Sequence, residues 1–168
     1  DDPAFLRISA GILGANVKVS VPANPKILPI LLNIPSNLLE TINLTSLLDS
    51  LENISPCVVT NRGLLIESDN SIKVYYELLG ISNNIISNTE IFTLKGRHAL
   101  GTDFYCPFQN VYQNGGEFGI TNAFSSIDIV ATEDNTTINV EPTNTVFKHG
   151  NNNFSIVLNK GETYSIRA

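Results

Sequence analysis

Alternation of apolar and polar residues constrains the fold of this chain more than any other feature. It is clearest in IDIVATEDNTTINV, residues 127–140, where apolar side chains recur at every second position on both sides of a central Glu-Asp-Asn-Thr. Period-two alternation gives a strand one apolar and one polar face. Asp and Asn favour turns because their side chains bond the local main chain. The segment therefore predicts two β-strands folded back on each other as a hairpin.

Similar short runs recur along the chain, separated by turn-forming residues such as Asn61-Arg62-Gly63 and Asn159-Lys160-Gly161-Glu162. Many short strands at this spacing are typical of a sandwich or barrel. We therefore predict an all-β fold, an antiparallel β-sandwich of the immunoglobulin-like or jelly-roll-like kind. The predicted strands outside the hairpin are Phe5–Ser9, Asn16–Val21, Val58–Thr60, Leu64–Ser68, Ile72–Leu79, Glu90–Leu94, Phe104–Phe108, Thr145–Lys148, Phe154–Leu158 and Thr163–Arg167.

One segment has helical instead of strand periodicity. Ser46, followed three residues later by Asp49, is a weak analogue of a capping box. We predict one short helix near residues 46–52, which covers the core as a lid and does not bind a partner. The apolar residues at helical spacing are Leu44, Leu47, Leu48, Leu51 and Ile54.

Size and composition favour one exported domain. A chain of 168 residues suits a single module with a sizeable core, and we predict one module over residues 1–168, a fragment of a much larger exported protein. Only 15% of residues are charged, and the net charge of −6 argues against a nucleic-acid partner. The apolar run from Ile27 to Ile34 is interrupted by Pro29 and falls short of a membrane span, so no direct membrane insertion is expected.

The two cysteines leave two alternatives open. A disulfide between Cys57 and Cys106 suits an exported protein and would stabilise it by roughly 4 kcal/mol in the chain-entropy model. The alternative is a pair of buried free thiols that behave as small apolar side chains.

No reactive constellation is evident. The two histidines, His98 and His149, have no second ligand at metal spacing, and we interpret each as a surface or turn residue. A calcium site through Asp128, Glu133 and Asp134 matches no known loop motif. We therefore expect no metal, no cofactor and no enzymatic activity.

Four segments together resemble a known family. They are residues 61–77, 90–105, 127–140 and 158–164, which include the run Ala-Leu-Gly-Thr-Asp-Phe-Tyr and the hairpin sequence Ala-Thr-Glu-Asp-Asn-Thr-Thr. Their order resembles the N-terminal domain of IgGFc-binding protein, as found in large type IX-secreted, adhesin-like surface proteins of gliding bacteria. The resemblance spans roughly Cys57 to Ala168, while residues 1–56 match only in general plan. It implies an extracellular β-sandwich module and does not transfer immunoglobulin binding.

Most of the shared run is interpreted as structural. Gly96 and Gly101 are expected to hold turn or close-approach conformations. The side chains expected to anchor the core are Leu94, Leu100, Phe104 and Tyr105.

The leading functional hypothesis is a non-enzymatic module of a bacterial cell-surface protein, acting in adhesion or surface-ligand binding. Loops carry contacts on such scaffolds. We therefore predict a ligand site in the loop from Gln109 to Asn122, where Tyr112, Gln113 and Asn114 suit a glycan. A protein ligand is the other option.

The alternative function is a purely structural spacer that packs against neighbouring domains of its own chain. Such a spacer is expected to expose an apolar patch around the helix. A carbohydrate-active enzyme is a third possibility.

Overall fold

The computed structural model describes residues 3–82, 85–86, 89–107 and 125–168, and β-strands dominate them. All pairings between named strands there are antiparallel, which confirms the predicted all-β antiparallel fold. The strands are β1 (Ala4–Ala10), β2 (Ala15–Ser20), β3 (Ile30–Ile34), β4 (Leu39–Asn43), β5 (Val59–Thr60), β6 (Leu65–Ser68), β7 (Ile72–Leu78), β8 (Ile81–Ser82), β9 (Ile85–Ile86), β10 (Glu90–Thr93), β11 (Ser126–Val130), β12 (Thr136–Val140), β13 (Phe154–Leu158) and β14 (Thr163–Arg167).

The described residues group into two compact units. Unit 1 comprises residues 3–21 and 26–52 with the described part of 64–102. Unit 2 comprises residues 22–25 and 53–63 with the described part of 103–168. Each unit contains its own cluster of buried apolar side chains. The expectation of one sandwich module over residues 1–168 stays a prediction.

Unit 1 contains a sheet of order β10-β7-β1-β4 and a second of order β3-β2-β6. Alternation turns Leu6 and Ile8 of β1 inward, and it does the same for Val17 and Val19 of β2. These residues belong to one buried cluster, so the inner faces of the two sheets share a core. Burying each aliphatic side chain contributes about 1.5–3 kcal/mol relative to leaving it exposed.

The predicted short helix is present. A 3₁₀ turn over Thr45–Leu47 continues as the α-helix α1 (Leu48–Leu51). Leu44 and Leu48 are buried in the unit 1 core. The turn begins after Asn43, whose Oδ1 accepts the Thr45 N–H at 2.9 Å, and not at the predicted Ser46 cap. No helix among the described residues is long and apolar enough to cross a membrane.

Unit 2 also pairs two sheets, one of order β11-β14-β5 and one formed by β12 and β13. Leu158 of β13 and Ile166 of β14 are buried in a single cluster, to which Ile129 of β11 and Ile138 of β12 also contribute. The inner faces of these sheets therefore form the second core.

The predicted hairpin over residues 127–140 is wrong in its pairing, although both strands exist. β11 pairs with β14, and β12 pairs with β13. Between them Ala131 is buried and exchanges main-chain hydrogen bonds with the β13–β14 connection, through Glu162 O at 3.1 Å and the Gly161 N–H at 2.9 Å. The two connections bond to each other, and each carries the chain from one sheet to the other. Alternation specifies a strand and its faces but contains no information about the partner strand.

Two further predicted strands are also wrong. Residues 104–107 of the predicted Phe104–Phe108 strand form none, and residue 108 lies outside the described residues. Pro107 lacks the N–H that a ladder requires. Residues 145–148 form a turn closed by the Val146 and Gly150 main chains at 2.8 and 2.9 Å, with Lys148 in left-handed backbone.

The predicted anchoring of the core by the shared run is likewise wrong. Leu94, Leu100, Phe104 and Tyr105 are all exposed, Tyr105 at 98%. The cores are built instead from alternating positions of paired strands, which Leu100, Phe104 and Tyr105 do not occupy. Gly96 does hold the expected turn conformation, with a φ of 54°.

Candidate functional site

The predicted ligand residues Tyr112, Gln113 and Asn114, with the whole of the 109–122 loop, lie outside the described residues. That site stays a prediction. The described residues contain a different candidate, which sequence reasoning missed.

This candidate lies on the outer face of the β3-β2-β6 sheet in unit 1. Because Val17 and Val19 point into the core, Asn16 and Lys18 must point outward. The register places Asn33 opposite Asn16, and Lys18 lies between Leu31 and Glu67. The face is a shallow, open trough of about 670 Å³. We call it the amide trough; its lining residues are Asn16, Val17, Lys18, Leu31, Leu32, Asn33, Glu67, Ser68 and Asp69.

A row of hydrogen bonds crosses the amide trough. Asn33 Nδ2 donates to Asn16 Oδ1 at 2.7 Å, and Asn16 Nδ2 donates to Asp69 Oδ2 at 2.7 Å. The other Asp69 oxygen accepts the Asn16 main-chain N–H at 2.8 Å. The side-chain bond and then the main-chain bond from Asn16 hold the pKa of Asp69 below its usual value. The row therefore presents two oriented amides and a stable carboxylate.

A second row combines charge with apolar surface. Lys18 Nζ lies 3.3 Å from Glu67 Oε2, and both side chains are about half exposed. Such a pair contributes at most about 1 kcal/mol in solvent, so a ligand can compete for its groups. Leu31, on the other side of Lys18, is 72% exposed.

The amide trough has the chemistry of a site for a polyhydroxylated ligand. A carboxamide has two N–H donors and a carbonyl acceptor, and a carboxylate accepts several bonds. The row uses only part of this capacity, which leaves donors and acceptors in fixed orientations. The Leu31 side chain adds an apolar surface suited to the C–H face of a sugar ring.

The signal for this site in the sequence was weak. Alternation in β2 predicts the outward Asn16 and Lys18, but the partners of Asn16 lie 17 and 53 positions away. Only the strand register brings Asn33 and Asp69 beside it.

A second polar cluster lies in unit 2, around Tyr164. The Tyr164 hydroxyl lies 2.9 Å from His149 Nε2. The His149 ring stacks on Phe154 with ring centroids 3.7 Å apart. Burial, with the hydrogen bond and charge of Cys57, raises the pKa of Tyr164 to about 12. His149 is half-buried in the turn closed by Val146 and Gly150, and His98 is exposed, so the prediction of a surface or turn residue is confirmed for both.

The possible disulfide is absent from the structure. Cys57 and Cys106 are both free thiols. Cys57 is half-buried, and its Sγ donates to the Phe147 carbonyl oxygen at 3.2 Å, while Cys106 is exposed. Two free thiols agree with the free-thiol alternative, but its expectation that both are buried is wrong for Cys106.

The acidic residues considered for calcium have separate partners. Asp128 accepts a hydrogen bond from Asn53 Nδ2 at 2.9 Å, and Asp134 accepts the Lys160 main-chain N–H at 3.0 Å. Within the described part of the chain, no three His, Cys, Asp or Glu residues are grouped as metal ligands would be.

The family model described as IgGFc binding protein matches residues 91–168, from β10 to the last described residue. No curated protein and no solved structure matches this chain. The resemblance is therefore confirmed over residues 91–168, a shorter stretch than the one expected from Cys57 onward. Type IX secretion and an origin in gliding bacteria stay predictions.

Proposed function

We propose that this chain is a non-enzymatic extracellular binding module of a cell-surface protein, and that the amide trough binds a glycan. The observation that carries the glycan proposal is the hydrogen-bonded row Asn33–Asn16–Asp69 on a rigid sheet face. The family match over residues 91–168 supports the binding class, because the family is described by a binding activity. Adhesion through a surface glycan is the role that combines both.

Preorganisation supports the amide trough as a binding surface. Asn16 and Asn33 lie on paired strands, and their mutual bond fixes both amide planes before a ligand arrives. Side chains that are already ordered lose less entropy on binding. A row of oriented amides on a sheet therefore suits the weak, repeated hydroxyl contacts by which a glycan is held.

The same geometry argues against glycoside hydrolysis in the amide trough. Hydrolysis needs one carboxyl group that stays protonated as the general acid, which requires a raised pKa. The pKa of Asp69 is instead lowered by its bonds from Asn16, and Glu67 is engaged by the Lys18 ammonium. This carboxylate pair suits ligand contact and charge balance better than proton transfer.

A glycan array with the intact chain tests the proposal. We expect binding that Asn16→Ala abolishes, because that change removes two of the three bonds in the row. The matched control is Asn139→Ala, since Asn139 is also an exposed strand residue, whose amide accepts a cross-strand bond from Ser155 at 2.7 Å. Binding lost with Tyr112→Ala and kept with Asn16→Ala would move the site to the predicted loop. No glycan binding at all would contradict the proposal.

A structural spacer is the second candidate function. The predicted apolar patch around the helix is not where it was expected, because Leu44 and Leu48 are buried. Apolar exposure occurs instead on β10, where Ile91 and Phe92 are more than half exposed. A spacer role predicts that a longer natural chain containing the next module unfolds at a higher temperature than this chain alone, without any added ligand.

A further inference from the structure

We propose that β10 pairs edge to edge with β10 of a second copy of this chain, forming a two-fold symmetric dimer. Among the described residues β10 is an edge strand, because in the β10-β7-β1-β4 sheet only β7 lies beside it. The Leu94 N–H donates to Val74 O at 2.9 Å, continuing the register in which Phe92 faces Tyr76. Hydrogen bonding alternates along an antiparallel pair, so the main-chain groups of Ile91 and Thr93 point away from β7.

This edge lacks the features by which proteins usually block strand addition. Natural edges carry lysine, proline or bulges. β10 reads Glu-Ile-Phe-Thr, and its only charge is at its first residue. Ile91, Phe92 and Leu94 are 58%, 51% and 43% exposed. A partner strand would cover these side chains and satisfy the outward main-chain groups together.

A second copy fits this edge in one antiparallel register. Since only Ile91 and Thr93 have outward groups, two-fold pairing centred on Phe92 sets Ile91 opposite Thr93 of the partner subunit. Phe92 then faces Phe92 of the partner subunit, an aromatic pair of the kind that stabilises cross-strand contacts. An isologous interface of this sort needs a patch that is complementary to itself.

Charge favours a second copy over an unrelated strand. The chain carries a net charge of −6, so two copies repel each other unless local charges oppose that effect. β10 begins with Glu90 and is followed by Lys95 and Arg97, all exposed. In the antiparallel register Glu90 lies opposite Leu94 of the partner subunit, at the end of the interface where Lys95 of the partner subunit follows the strand. Glu90 begins β10 and Lys95 follows its end. Glu90 of one copy therefore comes to the same end of the interface as Lys95 of the other copy only when the two strands run in opposite directions.

Sedimentation equilibrium over a range of concentrations tests the dimer. Wild-type chain should show a monomer–dimer equilibrium. Ile91→Pro should raise the dimer dissociation constant by about tenfold or more, because it removes an outward N–H and no bond to β7. Leu28→Pro is the control, since Leu28 is 82% exposed and lies outside any strand. Circular dichroism should show that both variants keep the β fold.

A charge exchange distinguishes dimerisation in this register from non-specific association. Glu90→Lys and Lys95→Glu should each weaken the dimer by a few-fold, and the double variant should restore it, since both pairs are again opposite in sign. A wild-type chain that stays monomeric at all concentrations would overturn the proposal. So would a dimer that Ile91→Pro leaves intact, or a double variant no tighter than the two single ones. None of these outcomes depends on whether a glycan binds.

Discussion

Asn16 holds Asp69 with two hydrogen bonds, one from its side-chain Nδ2 and one from its main-chain N–H, at 2.7 and 2.8 Å. The two residues are 53 positions apart, and together they tie β2 to the end of β6. The relationship fixes an amide plane, keeps a carboxylate ionised and forms one side of the amide trough. Structure and proposed binding therefore depend on the same contact.

This contact predicts a specific acid sensitivity. The folded pKa of Asp69 is lowered by Asn16, so its stabilising contribution is present above the ordinary value of 3.8 and is lost as pH falls through the lower folded pKa. Asp69→Asn should remove this part of the pH dependence of unfolding below about pH 4. Urea unfolding of both proteins between neutral and acidic pH measures it, and parallel curves for the two proteins would contradict the assignment.

The Tyr164 cluster predicts that the Tyr164 phenol ionises at a higher pH than an ordinary tyrosine. Burial and the contact with Cys57 raise the Tyr164 pKa to about 12 from an ordinary value of 10.0. The favoured state is the protonated one, so this contribution to stability is complete below pH 10.0 and is lost as pH rises toward about 12. Burial, with the nearby charge of Glu52, also raises the pKa of Tyr76. Ultraviolet titration should therefore show tyrosine ionisation that extends toward pH 12, and Tyr164→Phe should remove the step at about 12.

The same cluster predicts a loss of stability on removing the hydroxyl. Tyr164→Phe leaves His149 Nε2 without its hydroxyl partner, which should lower the free energy of unfolding by about 1–2 kcal/mol. Tyr105→Phe is the matched control, because Tyr105 is almost fully exposed and should change stability by less than about 0.5 kcal/mol. Equal effects of the two changes in urea unfolding would show that the cluster has no structural role.

Close packing at Gly63 gives a steric prediction. A Cβ at Gly63 would lie 2.6 Å from Gly161 O, which also accepts the Gly63 N–H at 3.0 Å, and 2.8 Å from Val130 Cγ2. Gly63→Ala should therefore destabilise the protein by about 1–3 kcal/mol. Gly11→Ala is the control, since its nearest contact would be an ordinary 3.8 Å from Ser71 O. Thermal or urea unfolding compares the two, and equal stability would refute the close approach.

The extent to which the sequence predicts this fold depends on the distance over which each rule acts. Alternation is local, so β2, β11 and β12 could be predicted together with their inward faces, whereas β14 is buried on both faces. The helical spacing of Leu44 and Leu48 is equally local. Local alternation does not predict which strands pair. The pairing of β11 with β14 depends on the contact of Ala131 with Gly161 and Glu162, which are distant in the sequence.

The candidate site shows the same division. Outward Asn16 and Lys18 follow from the alternation of β2, but neither residue specifies a partner. Asn33 and Asp69 join them only through sheet register. The chain contains many other Asn residues, and nothing in their local sequence distinguishes them from Asn33.

The prediction of core positions for Phe104 and Tyr105 failed for a related reason. Apolar character favours burial, but without a paired strand at residues 104–107 no buried face receives these side chains.

The two thiols provide a last prediction, one of unequal reactivity. Cys106 is exposed, whereas Cys57 is half-buried and donates to Phe147 O at 3.2 Å. Alkylation of the native protein should therefore modify Cys106 first, and Cys57 should react at a rate limited by local opening. Mass spectrometry after timed alkylation follows both steps. An intact mass that increases on reduction would show a disulfide instead, and equal rates for the two cysteines would contradict the burial of Cys57.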